Sequence, residues 1–506
     1  MNTAAINVNL YQLTCRPMDG GFIMARVLGL SASLRGARHG NGVSHLCSEI
    51  EQLSSKSDLD QFISEEAKIL HEEYMTVGLN EGKPFDEVYK NLKKSLGKNG
   101  LCNSEAALVA GLWGAHQNKA EIDYASLQVF FPASGNYKNL DLLKHQILQA
   151  DAILLSGPVY FGDRSSIAQE FIDFMYSDKE IRNHIKNKIY AGIAVGAKRN
   201  GGQETTLVYQ LIDMTNLNML AVGNGEGTTA QYGGTVVAGD VGSVSSDTYG
   251  LDTAIGAGKR IAHVSSLMQK GAQNDSNEPV KIAVVILQDN SQKNGKTLVN
   301  DFCGKITKES DNVEFHILDF SSEYAMRCIA CDICPIASGV PNEYRCIIKS
   351  KKDLFVKYHE QLIDYDAILV SAYSPCDRHD ITSVYQRFVE RTRYLRRDNY
   401  AIGDLLVAPL IFSELNSNQN LHIRIATSMI RHNSIMHHPL IGIFRDNKVI
   451  DWSHIIEQGL IFVDNVRHLS SAKTIMGNSY RKDWKYNPIG YVISKNKRRF
   501  DDNIAK

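Results

Sequence analysis

Four of the chain's nine cysteines fall between positions 328 and 346. Cys328, Cys331 and Cys334 repeat at every third residue, Pro335 follows, and Cys346 comes after eleven intervening residues. Thiolates this dense suit a 4Fe–4S cluster, with three ligands from one tight loop and the fourth from further along. Four-cysteine zinc stays open, although zinc sites more often use two separated knuckles. Thiols without a metal are the third reading. Cys376, at a strand end, is either a substitute ligand or a packed thiol.

Two other stretches carry chemistry. An apolar run at 26–30 leads straight into a Gly/Ser-rich loop at 31–44. Backbone N–H groups at a helix N-terminus, helped by hydroxyls, cradle a phosphate dianion. Ser31, Ser33, Arg35, Asn41 and Ser44 are the candidates. The bland alternative is an ordinary strand–helix turn. Further on, Ala197, Lys198, Arg199, Asn200, Gly201, Gly202, Gln203 and Glu204 follow another apolar run. A strand end does not bury so many polar groups without partners, so a ligand contact is the simplest account. Lys198 and Arg199 either meet a nucleotide phosphate or face solvent.

These loops need elements to hold them. Apolar runs at 26–30, 126–131, 152–156, 189–195 and 219–222 read as strands, with amphipathic helical stretches between them. The pattern restarts at 281–287, 313–318, 367–371, 405–412 and 440–444. Strands alternating with helices predict parallel sheets covered on both faces. The expected organisation is an extension at 1–24, a first domain at 25–269 with a helical insertion near 55–120, a linker at 270–280, a second domain at 281–480 and a basic tail at 481–506. Residues 223–250 hold eight glycines and read as a lid or oligomer contact. His432, His437 and His438 read as structural or solvated, with a metal role disfavoured.

With 506 residues, 43% hydrophobic and 22% charged, the chain has enough apolar side chains for more than one core. A net charge of −1 argues against nucleic acid or an anionic membrane as the main partner. No apolar run is long enough to span a bilayer, and no signal peptide is read at the start. Bunched cysteines in a large chain point to a reducing, cytoplasmic setting.

The segments SASLRGARHGNGVS, SGPVYFGDRSS, GAKRNGGQETT and GSVSSDTYGLDTAIGAG resemble the NADPH-dependent FMN reductase family of flavodoxin-like proteins. CIACDICP with YRCIIKSKKDL, and SAYSPCDRHDITSVYQRFVER, are similar to its iron–sulfur flavoprotein branch. The resemblance implies two tandem flavodoxin-like α/β domains, each a three-layer unit with a parallel five-stranded sheet. It implies FMN in the first domain, with Pro158, Val159, Tyr160, Phe161 and Gly162 along the ring edge and 196–206 clasping the pyrimidine edge. Core packing is the competing reading of Tyr160 and Phe161. In the second domain flavin binding is open, because the loop at 413–420 lacks the Gly-Gly-Gln clasp.

The implied function is an FMN-dependent NAD(P)H oxidoreductase that passes electrons to a quinone-like or other small acceptor, through an iron–sulfur cluster. No acid–base residue is required for it. The alternative is a non-enzymatic electron-transfer module for a redox partner protein, and a maturation or scaffold role is a third. A homo-oligomer is an expectation from the resemblance alone.

Overall fold

The computed structural model describes residues 24–34, 43–76, 82–84, 86–88, 100–274, 278–288, 293–321, 324–331, 334, 344, 346–374, 383–397, 399–417, 420–446, 448–477 and 484. Residues 1–23 of the extension, 275–277 of the linker and all of the tail but residue 484 lie outside that set.

In the first half the strands are β1 (Arg26–Ser31), β2 (Glu121–Ser126), β3 (Ala152–Pro158), β4 (Ile189–Gly196), β5 (Leu220–Ala221) and β6 (Gly234–Val237). Its helices are α1 (Val43–Gln52), α2 (Lys56–Thr76), α3 (Asn103–Gln117), α4 (Leu127–Phe130), α5 (Leu140–Gln149), α6 (Ser166–Ser177), α7 (Lys179–His184), α8 (Gln203–Asn216) and α9 (Thr248–Ala272). The second half has strands β7 (Val280–Ile286), β8 (Val313–Asp319), β9 (Ala367–Ser374), β10 (Leu406–Glu414), β11 (Ile435–Met436), β12 (Leu440–Arg445) and β13 (Lys448–Val449). Its helices are α10 (Lys293–Glu309), α11 (Leu354–Asp364), α12 (Ser383–Arg391), α13 (Arg393–Arg396), α14 (Leu421–Met429) and α15 (Trp452–Met476). Every residue of β4 and β9 is buried, as strands covered on both faces must be.

The strands run β2-β1-β3-β4-β5 in one half and β8-β7-β9-β10-β11 in the other. Both are the flavodoxin-like doubly wound order, with its crevice where the winding reverses between first and third strands. Two separate five-stranded sheets were expected; the described strands instead form a single sheet. The fifth strand of each half is split, β5 and β6 both pairing with β4, β11 and β12 both pairing with β10. The short pieces meet antiparallel at Ala221 and Met436. Gly223 permits the break after β5, because a Cβ there would lie 1.8 Å from the Gln231 carbonyl oxygen.

The halves are related by an approximate two-fold axis, visible in their side chains. Asn187 and Asp404 precede β4 and β10 in left-handed backbone, as Asn218 and Asn433 precede β5 and β11. Asn187 N–H donates to the Asn218 carbonyl and Asp404 N–H to that of Asn433. Asn465 of α15 donates to the Asn187 side chain at 2.8 Å. At the mirrored position Arg260 of α9 pairs with Asp404, both fully buried, and His263 Nε2 lies 3.0 Å from the same carboxylate. His438 Nδ1 donates across the join to the Thr215 carbonyl at 3.0 Å. His432 and His437 are buried and His438 is largely so, and this loss of water holds their imidazoles down at about 3, 3 and 4.

Three sequence expectations change. The strand expected at 126–131 is β2, five residues earlier, and most of the apolar run forms α4. Residues 103–117, assigned to an insertion, form α3, which packs between the sheet and α9 with all but three residues buried. The glycine-rich stretch is part strand, since β6 lies inside it.

Candidate functional site

The crevice of the first half opens at the ends of β1, β2 and β3. There Ser126, Ser31 and Ser156 stand in one row across neighbouring strands. Ser156 Oγ donates to the Ser104 carbonyl at 2.8 Å. Among the described residues the buried hydroxyls of Ser31 and Ser126 have no partner of good hydrogen-bond geometry, although Ser126 lies close to the Tyr124 phenol. Ser33 is also buried, next to the Cys102 thiol. Arg35, Asn41 and the side chain of Ser44 lie outside the described residues, so the tip of the phosphate loop does too.

The loop after β3 is tied down at both ends. Val159 N–H donates to the Val195 carbonyl at 2.9 Å, and Tyr160 and Asp163 exchange backbone bonds of 2.8 and 2.9 Å. Between them Phe161 and Gly162 take left-handed backbone, φ 52° and 79°. For a bulky residue that conformation is strained. Phe161 is fully exposed and Tyr160 is 44% exposed, so neither is core. Pro158 leads the chain out of the sheet.

The loop after β4 rests directly on this one. Gly202 has φ 105°, and a Cβ there would meet Gly162 Cα at 2.7 Å. Gln203, expected as a ligand contact, is buried and holds the loop instead. Its Oε1 accepts from Gly201 N–H at 2.9 Å, and its Nε2 donates to the carbonyls of Lys198 (2.8 Å) and Val236 (3.3 Å). Ala197, Lys198, Asn200, Gly201 and Glu204 are exposed at the rim. Arg199 is committed to Asp247 and the Thr235 carbonyl, over the Tyr249 ring. It is therefore not placed to greet a nucleotide phosphate. Thr206 Oγ1 is another buried hydroxyl that finds no partner among the described residues.

Glu105 was missed from the sequence. It is fully buried at the start of α3 and accepts from Cys102 N–H at 3.0 Å and Tyr124 Oη at 2.9 Å. Burial is the main cause that lifts its carboxyl to about 7. It anchors Cys102, which in turn meets Ser33 behind the phosphate loop. The cue was a capping box with Cys102 in place of the usual serine or threonine.

The four cysteines are free and half-buried. Burial, then the neighbouring thiols of Cys346, Cys331 and Cys328, push the Cys334 thiol up, against the pull of Arg397. The thiols thus feel one another, yet among the described residues no three possible ligands are arranged to hold a metal ion. One buried ion pair fixes both flanks of their loop. Arg391 binds both Asp353 oxygens at 2.9 Å, donates to the Met326 carbonyl at 2.9 Å and to Tyr344 Oη at 2.8 Å. Arg397 leads towards the N-terminal end of β10. Because the half-sheets run oppositely, that end lies on the side of the loops after β3 and β4.

The corresponding edge of the second half is built differently. The strand registers set Ala372 where the first half has Gly157, Tyr373 for Pro158, Ser413 for Gly196 and Glu414 for Ala197. Tyr373 Oη donates to Glu414 across this edge at 2.6 Å, and its ring packs on Phe444. Cys376 lies outside the described residues. No described helix is long and apolar enough to cross a membrane.

The family model of the NADPH-dependent FMN reductases matches residues 95–233. That span contains α3 and both clasping loops. An iron–sulfur flavoprotein of Methanocaldococcus jannaschii is 36% identical over 132 residues, 26% of this chain and 67% of that protein. Those of Methanosarcina thermophila and Archaeoglobus fulgidus are 28% and 29% identical over 133 residues, 26% of this chain in each case and 65% and 64% of theirs. The chain spans about two thirds of the length of these relatives.

Proposed function

This chain belongs to the NADPH-dependent FMN reductase and iron–sulfur flavoprotein family, and from that premise we propose that it is an FMN-dependent NAD(P)H oxidoreductase. Electrons would leave for a quinone-like or other small acceptor. The observation that carries the reading is the first-half crevice itself. Two glycine-bearing loops meet at Gly162 and Gly202, at the same edge of the sheet as the buried hydroxyls of Ser31 and Ser126, which find no well-placed partner among the described residues. Those groups fit a phosphorylated, flat ligand that supplies acceptors to buried donors.

When bound, FMN supplies hydride acceptance and electron release. The protein's part is orientation. Ser31, Ser33, Arg35, Asn41 and Ser44 would hold the phosphate. The 158–162 loop would line the ring, and Gln203 keeps Ala197–Glu204 in shape to clasp its pyrimidine edge. Phe161, strained and fully exposed, would stand at the rim of that site.

Cys328, Cys331, Cys334 and Cys346 would hold a 4Fe–4S cluster, which supplies one-electron transfer. The donor chemistry fits, because crowded thiols that disfavour each other's ionisation are stabilised by a cation. In the second half, the Tyr373–Glu414 bond occupies the equivalent ring edge, which supports one flavin per chain.

The test is anaerobic purification followed by FMN, iron and sulfide analysis and NAD(P)H oxidation with a generic quinone. About one FMN and about four iron per chain, with quinone-dependent turnover, is the expected result. Two FMN with no iron, or no turnover in flavin-loaded protein, would overturn it.

A further inference from the structure

The internal duplication offers a comparison within one chain. The turn before β5 reads Asn216-Leu217-Asn218, and its counterpart before β11 reads Arg431-His432-Asn433. Leu217 is buried as an ordinary apolar side chain. His432 occupies the same place, equally buried, with no partner for Nδ1 among the described residues. Arg431 Nε and Asn433 Nδ2 are likewise buried and unpartnered. Three consecutive residues thus present buried polar atoms that find no partner among the described residues. Such a set is destabilising unless a ligand rich in acceptors completes it.

The surroundings say what kind of ligand. Burial and the positive charges of Arg396 and Arg431 both hold the His432 imidazole down. Across the join, Tyr232 faces Arg431 and feels Arg396 and Glu204. A Cβ on Gly223 would touch Ile430 at 3.7 Å, so the turn lies against the 223–233 loop. Glu204 belongs to the clasp of the first-half crevice. Arg396 and Arg431 thus bring guanidinium groups to the same corner as the Glu204 carboxylate.

We propose that Arg431, His432 and Asn433, with Arg396 behind them and Tyr232 in front, form an anion-binding subsite for a phosphate-bearing ligand that approaches the first-half crevice. The second half thereby contributes to substrate recognition by the first. This assignment rests on the flavin reading for what the ligand is doing there. The corner itself is independent of it.

The probe is inorganic pyrophosphate, titrated calorimetrically into the full chain with and without FMN. Arg431→Gln should weaken binding by about tenfold, roughly 1.4 kcal/mol. His432→Leu, which restores the side chain of the other half, should fold and also bind more weakly. Arg445→Gln, on an exposed strand end, should bind as the parent does. Parent protein that ignores millimolar pyrophosphate, or Arg431→Gln that binds it undiminished, would overturn the proposal. Should the chain take up no FMN, the functional reading fails while the flavin-free titration still decides this one. Kinetics then separate the sources. A raised KM for NADPH at unchanged kcat assigns the anion to the donor, and a raised KM for a sulfonated anthraquinone alone assigns it to the acceptor. No change in either KM, in flavin-loaded protein, also counts against the subsite.

Discussion

Gln203 is the residue whose role most differs from its appearance in the sequence. A polar side chain in a glycine-rich loop reads as a ligand contact, and the structure turns it inward onto three backbone groups. Gln203→Leu strands those groups and should cost about 1–3 kcal/mol in urea unfolding. FMN affinity should fall about tenfold as the clasp loosens. Glu105 makes a pH prediction. Its folded carboxyl sits near 7 against an ordinary 4.5. The folded state therefore keeps a proton that the unfolded chain releases, and stability declines as pH rises from 4.5 to 7. The full effect is about 3 kcal/mol. Glu105→Gln should flatten that slope, seen as a smaller difference in Tm between pH 5 and pH 8. An unchanged slope would place the buried proton elsewhere.

At the scale of elements, the buried strands were legible and the edge was not. β3, β4, β9 and β10 are buried, predominantly apolar runs, as two covered faces require. β2 alternates half-buried, charged Glu121 and Asp123 with buried Ile122 and Tyr124, so the following SLQVFF looked more strand-like than it did. α3 was hidden by its small, all-round apolar surface, which buries 12 of its 15 residues and gives no amphipathic stripe. The cysteine loop was legible by spacing, but its support was not. Arg391 looks like one basic residue among many, whereas it is buried against Asp353 and binds both flanks of that loop. Arg391→Ala leaves the carboxylate uncompensated and should cost about 3–5 kcal/mol. Iron content should drop with it, measured after anaerobic purification. Full iron content at unchanged stability would free the loop from this pair.

For the whole molecule, two half-sheets share one ladder and one buried ionic join. No sequence pattern announces an antiparallel contact as short as Ala221 with Met436. The histidines at the join predict acid sensitivity. Their folded pKa values lie near 3 to 4, below the ordinary 6.5. The unfolded chain therefore takes up protons first, and stability falls as pH drops from 6.5 towards 4. His437→Gln should lessen that loss, read as Tm against pH. Asp404→Ala should loosen the halves, because it leaves Arg260 buried without its carboxylate.

The most direct test is an equilibrium titration of FMN onto flavin-stripped full-length protein, with Gly202→Val beside it. A valine at φ 105° is strained, and its Cβ would strike Gly162 Cα, so only the first-half crevice is altered. One site per chain, lost in the variant while Tm stays within a few degrees of the parent, is the predicted result. Two equivalent sites, or binding that survives the substitution, would contradict the account.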